Sequence, residues 1–209
     1  MPDWKGDFNP SRTSAVDAEG LPLLALSIRQ PWLWAILKAG KRIENRKWKT
    51  SYRGPLLLHA AKGCTGREVE DFIEFVWGSF GAAAAGAMLA TIPSLKGGKV
   101  FKRGGICGVA TLRGMAMAAS LIVSEKNRAQ PPLPGMPVRI ERPYVDGEVV
   151  VNESQRPWRM PPQHGWVLGD VADIPFVACS GALGLFRPEP SALALAHVEL
   201  RRLAWKAAT

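Results

Sequence analysis

Glycine and proline punctuate this chain at short intervals, 21 and 17 of them in 209 residues. That density favours many short elements joined by turns over a long helical bundle. The apolar runs between the breaks are strand-sized. Leu23-Leu-Ala-Leu-Ser-Ile28 and Pro55-Leu-Leu-Leu-His-Ala60 read as buried strands, as does Ile106-Cys-Gly-Val-Ala-Thr-Leu-Arg113. Trp166-Val-Leu-Gly-Asp-Val171 and Ala182-Leu-Gly-Leu-Phe186 close the set. Several short strands, few helices and a turn about every ten residues predict a small, partly closed barrel. At this length, with 47% apolar residues, the chain can bury one core and still carry insertions.

Between the strands, Arg29-Gln-Pro31 breaks the first run, and Pro31 suits the first position of a helix over residues 31–39 that Gly40 ends. Residues 41–48 alternate as an extended segment does. Ile43, Asn45 and Lys47 fall on one face and Arg42, Glu44, Arg46 and Trp48 on the other. Thr65 is placed to cap an amphipathic helix through Glu68, Val69, Phe72, Ile73, Phe75 and Val76. The Ala/Gly tract that follows reads as flexible, and residues 124–163 as a long surface excursion with a short hairpin at Asp146-Gly147. Ser191 is the expected cap of a terminal helix running to about Ala207.

The first twenty residues are polar and have no apolar signal-peptide core, so they read as a flexible N-terminal arm. The most apolar window, residues 80–92, is too short to span a bilayer. Cys64, Cys107 and Cys179 are scattered and odd in number, which argues against a disulfide framework or a zinc site. A cytoplasmic protein with no cofactor, no metal and no membrane partner is expected.

Charge is the strongest functional signal. Of 27 Lys/Arg and 18 Asp/Glu residues, ten bases and a single acid lie between Arg29 and Arg67, leaving 17 of each elsewhere. The whole net charge of +9 therefore resides in one short segment. The bases are Arg29, Lys38, Lys41, Arg42, Arg46, Lys47, Lys49, Arg53, Lys62 and Arg67, and the acid is Glu44. A solubilising face is the bland explanation. Interleaving with Trp32, Trp34, Trp48 and Tyr52, which offer stacking surfaces, favours a polyanion site instead.

Leu26-Ser-Ile-Arg-Gln-Pro-Trp32, Ala39-Gly-Lys-Arg-Ile-Glu-Asn-Arg46, Trp48, Tyr52-Arg-Gly54 and Leu58-His-Ala60 together resemble the ASCH domain. That family's pattern is approximately S-x-x-Q-P-W, G-x-K-x-x-E-x-R and R-G before a strand ending in His or a small residue. Here Gly40 and Lys41 are adjacent, one residue tighter than the loosest form. A later stretch, residues 165–186, resembles the closing strands of bacterial and phage members. The resemblance implies an α+β chain: a PUA-like small β-barrel flanked by short helices, with surface insertions. The domain would cover residues 21–187, with insertions at about 81–103 and 120–163, and a C-terminal helix or tail at 188–209. It also implies a basic cleft that binds RNA or another single-stranded nucleic acid, with a modified nucleoside as the alternative ligand.

The expected contacts are Ser27, Arg29, Gln30, Trp32, Lys41, Glu44, Arg46, Trp48, Tyr52, Arg53, His59 and Lys62. Lys41 and Arg46 would meet phosphate or carbonyl oxygens. Glu44 would orient them by pairing, accept from a base amino group, or form an ordinary ion pair; pairing is the favoured reading. Trp32 is equally suited to stacking and to packing. His59 reads as a hydrogen-bonded strand residue, with no Cys or Asp partner in view. Some small family members hydrolyse acylated cytidine with a Lys followed three residues later by a Thr nucleophile. Lys41 matches the first position, but Glu44 occupies the second and cannot supply a hydroxyl. Lys41 and Glu44 thus stand as candidate catalytic residues of the alternative reading, a metal-free ribonuclease or nucleoside hydrolase. A protein-interaction adaptor using residues 124–163 is a third.

Overall fold

Seven consecutive buried residues, Gly54–Ala60, form the central strand β3, beside which β1, Ala25–Ile28, lies parallel with Ser27 opposite His59. Parallel neighbours need a crossover. It consists of α1, Trp32–Lys38, and the strand β2, Ile43–Arg46. Gly40, at φ +71°, sits just past the end of α1 as expected. The computed structural model describes residues 15–92, 101–116 and 153–206.

β4, Gly105–Ala116, and β5, His164–Ala178, are the two long strands, and β6 is only Leu185–Phe186. The sheet order is β2-β5-β4-β3-β1-β6, with every pair but β1–β3 antiparallel. The β4–β5 ladder shifts register three times and the β3–β4 ladder once. Such bulges increase twist, and the sheet curls into a half-barrel. The expected PUA-like barrel with flanking helices is the observed architecture.

Strand alternation divides the apolar residues. Leu26, Ile28, Leu56, Leu58, Ala60, Ala110, Leu112, Trp166 and Leu168 fill the concave side with Leu33 and Ile36 of α1. Ala25, Leu57, Ile106, Val109 and Val177 line the convex side, where the terminal helix α4 (Pro190–Arg202) lays down Ala192, Ala196 and Leu200. A third cluster joins Trp34 of α1 to Phe72 and Val76 of α2, Gly66–Phe80. There Thr65 and Glu68 complete a capping box at the helix start.

Four expectations change. The Ala/Gly tract is helix α3, Ala82–Ala90, whose Ala85 and Leu89 pack against the α1–α2 layer. Tertiary burial stabilises a segment that has no apolar period of its own. The end of the supposed surface excursion is a 3-10 turn, Glu153–Trp158, that inserts Trp158 into the same layer at 2% exposure. Residues 117–152, with the hairpin at Asp146-Gly147, lie outside the described residues. β5 runs seven residues beyond Val171, with Pro175 exposed at a register shift. Glu189, rather than Ser191, precedes α4, whose first residue is Pro190.

The N-terminal arm is described from Ala15, which is buried, while Glu19 pairs with Arg201 of α4. Among the described residues no helix is long and apolar enough to cross a membrane.

Candidate nucleic-acid interface

The alternation along β2 divides the basic segment between two fates. Ile43 joins the helix layer, whereas Glu44 lies opposite Trp166 of the concave side. Lys41, 1% exposed, donates from Nζ to Glu44 Oε2 at 2.9 Å. The other oxygen of Glu44 faces Arg46 Nε at 3.2 Å. One carboxylate thus neutralises part of two cations in a dry place. Burial pushes the Lys41 ammonium below its ordinary range, more strongly than Glu44 raises it. The Lys41 Nζ also stands 5.8 Å from the Trp32 ring centroid. Pairing, the favoured role of Glu44, is what the geometry shows.

Arg46 extends this network across the seam of the half-barrel. β6 pairs only with Ala25 and Leu26, so the edge of β1 at Ser27 is not covered by a strand. The Arg46 guanidinium donates there to the Ser27 carbonyl. β2 and β1, far apart in the sheet order, are thereby joined by a side chain. Lys41, Glu44 and Arg46 hold the frame together and present little surface to a ligand.

The expected stacking residues are also occupied. Trp32 meets Phe72 and Phe75 edge-on at 4.9 and 5.2 Å. Trp48 meets Trp166 edge-on at 4.6 Å. Tyr52 is buried and donates to the Pro55 carbonyl, and Arg53 donates to the carbonyls of Thr50 and Tyr52. These four shape the barrel wall.

Exposed bases gather elsewhere, at the end where β1 and β3 stop and β4 starts. Ile28 pairs with Ala60, and Ala60 with Gly105, so Arg29, Lys62 and the residues 102–104 emerge side by side. Arg29 pairs with Glu68 yet stays 59% exposed. Lys62, Arg67, Lys102 and Arg103 are exposed as well. Gln30, buried, accepts from the Trp34 amide and donates to the Lys102 carbonyl, locking the Lys102 loop to the start of α1. Arg103 donates to the Cys64 carbonyl at 3.3 Å. Lys102 and Arg103 were not among the sequence candidates. They lie 40 residues beyond Lys62 in the chain, and only the β3–β4 pairing brings them together.

Behind this basic end, on the convex side, lies a cavity of about 730 Å³ lined by Ser27, His59, Lys62, Cys179, Gly181 and Glu189 among others. His59 has partners that its sequence neighbours did not reveal. Its Nδ1 is 3.0 Å from Ser27 Oγ and its Nε2 is 3.2 Å from the Cys179 carbonyl oxygen. Burial holds the imidazole below its ordinary pKa.

Residues 26–129 match the ASCH domain. No curated protein matches the chain.

Proposed function

This chain belongs to the ASCH domain family, a PUA-like domain generally associated with RNA binding, and from that premise we propose that it binds single-stranded RNA at the basic end formed by Arg29, Lys62, Arg67, Lys102 and Arg103. The observation that carries the reading is the gathering of Arg29, Lys62, Lys102 and Arg103, all exposed, at the ends of three adjacent strands, with Arg67 following in the first turn of α2. Strands stand about 4.8 Å apart, so the arc across β1, β3 and β4 is about 10 Å wide. An arc of that width spans a few consecutive phosphates of one strand. Of the acids around it, Glu68 is held by Arg29 and the Thr65 capping box, Glu70 and Asp71 follow Arg67 on α2, and Glu189 lies in the cavity behind. The buried Lys41–Glu44–Arg46 network contributes indirectly, by holding the half-barrel in the shape that brings the three strand ends together.

Labelled single-stranded RNA, single-stranded DNA and duplex DNA titrated at several salt concentrations test the reading. RNA binding with a steep negative salt dependence, weakened by Lys62→Glu and Arg103→Glu, is the expected result. A folded protein that retains no polymer at low salt contradicts it.

A further inference from the structure

The Ser27–His59 pair has a defined hydrogen-bond direction. A carbonyl oxygen only accepts, so the 3.2 Å contact with Cys179 requires His59 Nε2 to carry the proton. Nδ1 is then a lone pair, and the Ser27 hydroxyl at 3.0 Å must donate to it. The parallel register places the two residues opposite each other on β1 and β3, and both line the convex-side cavity. Serine, acceptor imidazole and a third group orienting the imidazole form the arrangement of an activated nucleophile. The orienting group here is a backbone carbonyl in place of a carboxylate.

Gly181 packs directly against the pair. A Cβ placed on Gly181 would stand 2.4 Å from His59 Cε1 and 2.8 Å from Ser27 Oγ. Only glycine fits at that distance. The backbone N–H groups of Ser180, Gly181, Ala182 and Leu183 take no acceptor among the described residues. The backbone N–H groups of the segment that packs against Ser27 Oγ are the donors available to a developing oxyanion.

We propose that Ser27 and His59 form a hydrolytic site for small carboxylic esters, with the 180–183 backbone as the oxyanion donor. Ser27 Oγ adds to the ester carbonyl carbon while its proton passes to His59 Nδ1. The tetrahedral intermediate collapses, the C–O bond to the alcohol breaks, and His59 Nδ1 returns the proton to the departing oxygen. Water then adds to the acyl-serine, giving a proton to Nδ1. Ser27 leaves, regains that proton, and the carboxylic acid is released. The proposal does not rest on the RNA reading: its reacting groups lie within the cavity, and of the five exposed bases Lys62 alone lines it.

The test uses the full chain and a fluorophosphonate probe, which phosphonylates an activated serine with loss of fluoride, followed by peptide mass mapping. The expected result is a single modified serine, Ser27, and a stoichiometric burst of nitrophenolate from p-nitrophenyl acetate. His59→Gln slows labelling by at least about a hundredfold, the contribution of a positioned base, and Gly181→Ala abolishes it while circular dichroism is unchanged. Should a variant fail to fold, the wild-type map decides alone. An unlabelled folded protein, or a label on another serine, overturns the proposal and leaves the pair as a cross-strand hydrogen bond.

Discussion

Replacing Glu44 by glutamine removes one charge and almost no volume, which makes it the sharpest probe of the frame. In the native chain its carboxylate faces Lys41 and Arg46, whose side chains are 1% and 20% exposed. Without it, a buried ammonium stands beside a guanidinium with the counter-charge of this network gone. Breaking a buried pair from one side typically costs about 3–5 kcal/mol. Lys41 can escape by losing its proton, and discharging an ordinary lysine at pH 7 costs about 4.6 kcal/mol, which sets a ceiling. The expected loss is therefore about 3–4.5 kcal/mol, read from guanidinium unfolding followed by circular dichroism. Asp173→Asn, at an ion pair with Lys38 that is more than half exposed, is the control and should cost under about 1 kcal/mol. Lys41→Met combined with Glu44→Gln should recover much of the loss, because no charge is then left at the Lys41 position. A Glu44→Gln cost below about 1 kcal/mol, or a double variant no better than the single, would refute the reasoning.

Further outcomes follow from burial and close packing in the chain. Lys41 lies below its ordinary pKa of 10.5 in the folded chain because of burial. Between its folded value and 10.5 the unfolded state holds the extra proton, so this residue's contribution to stability rises with pH. Subtracting the Lys41→Met unfolding curve from wild type across the alkaline range should show that rise, and a fall would contradict it. Cys107 is buried and its thiol is pushed up to about 11, while Cys64 is only half-buried. A disulfide reagent at pH 8 should therefore modify Cys64 first and Cys107 only on unfolding; rapid loss of the Cys107 thiol in native protein would be inconsistent. Gly108→Ala would set a Cβ 2.6 Å from Leu37 Cδ2 and 2.7 Å from the Ala172 carbonyl oxygen. It should cost about 1–3 kcal/mol in the same denaturation assay, as overpacking does, and a neutral result would mean the β4–β5 contact is looser than described.

Much of the frame was legible in the sequence, and each success has a local cause. β1, β3 and the Thr65 cap were readable because apolar runs and capping chemistry are written in neighbouring residues. α3 was not, since Ala-rich residues 82–90 carry no amphipathic period, and only the fold shows Ala85 and Leu89 packed into the cluster with Phe72 and Trp34. Trp158 was missed because its anchors, Asn45 and the amide clamp between Arg42 and Gln155, lie more than a hundred positions away. The concentration of bases in residues 29–67 was plain in the sequence, yet alternation alone could not show that Lys41 turns inward while Lys62 emerges. Nor could it show that Arg46 would be drawn to the Ser27 carbonyl at an open sheet edge. Ser27 and His59 are separated by 32 residues, and their pairing depends on a parallel register that no local pattern specifies.

The central claim, RNA held at the basic end, is tested most directly by the salt dependence of single-stranded RNA affinity in wild type and in Lys102→Ala/Arg103→Ala. Each phosphate contact contributes about 0.7 to the slope of log affinity against log salt. The double variant should therefore bind more weakly with a slope shallower by about 1.4. An unchanged slope and affinity would place the RNA elsewhere and contradict the account.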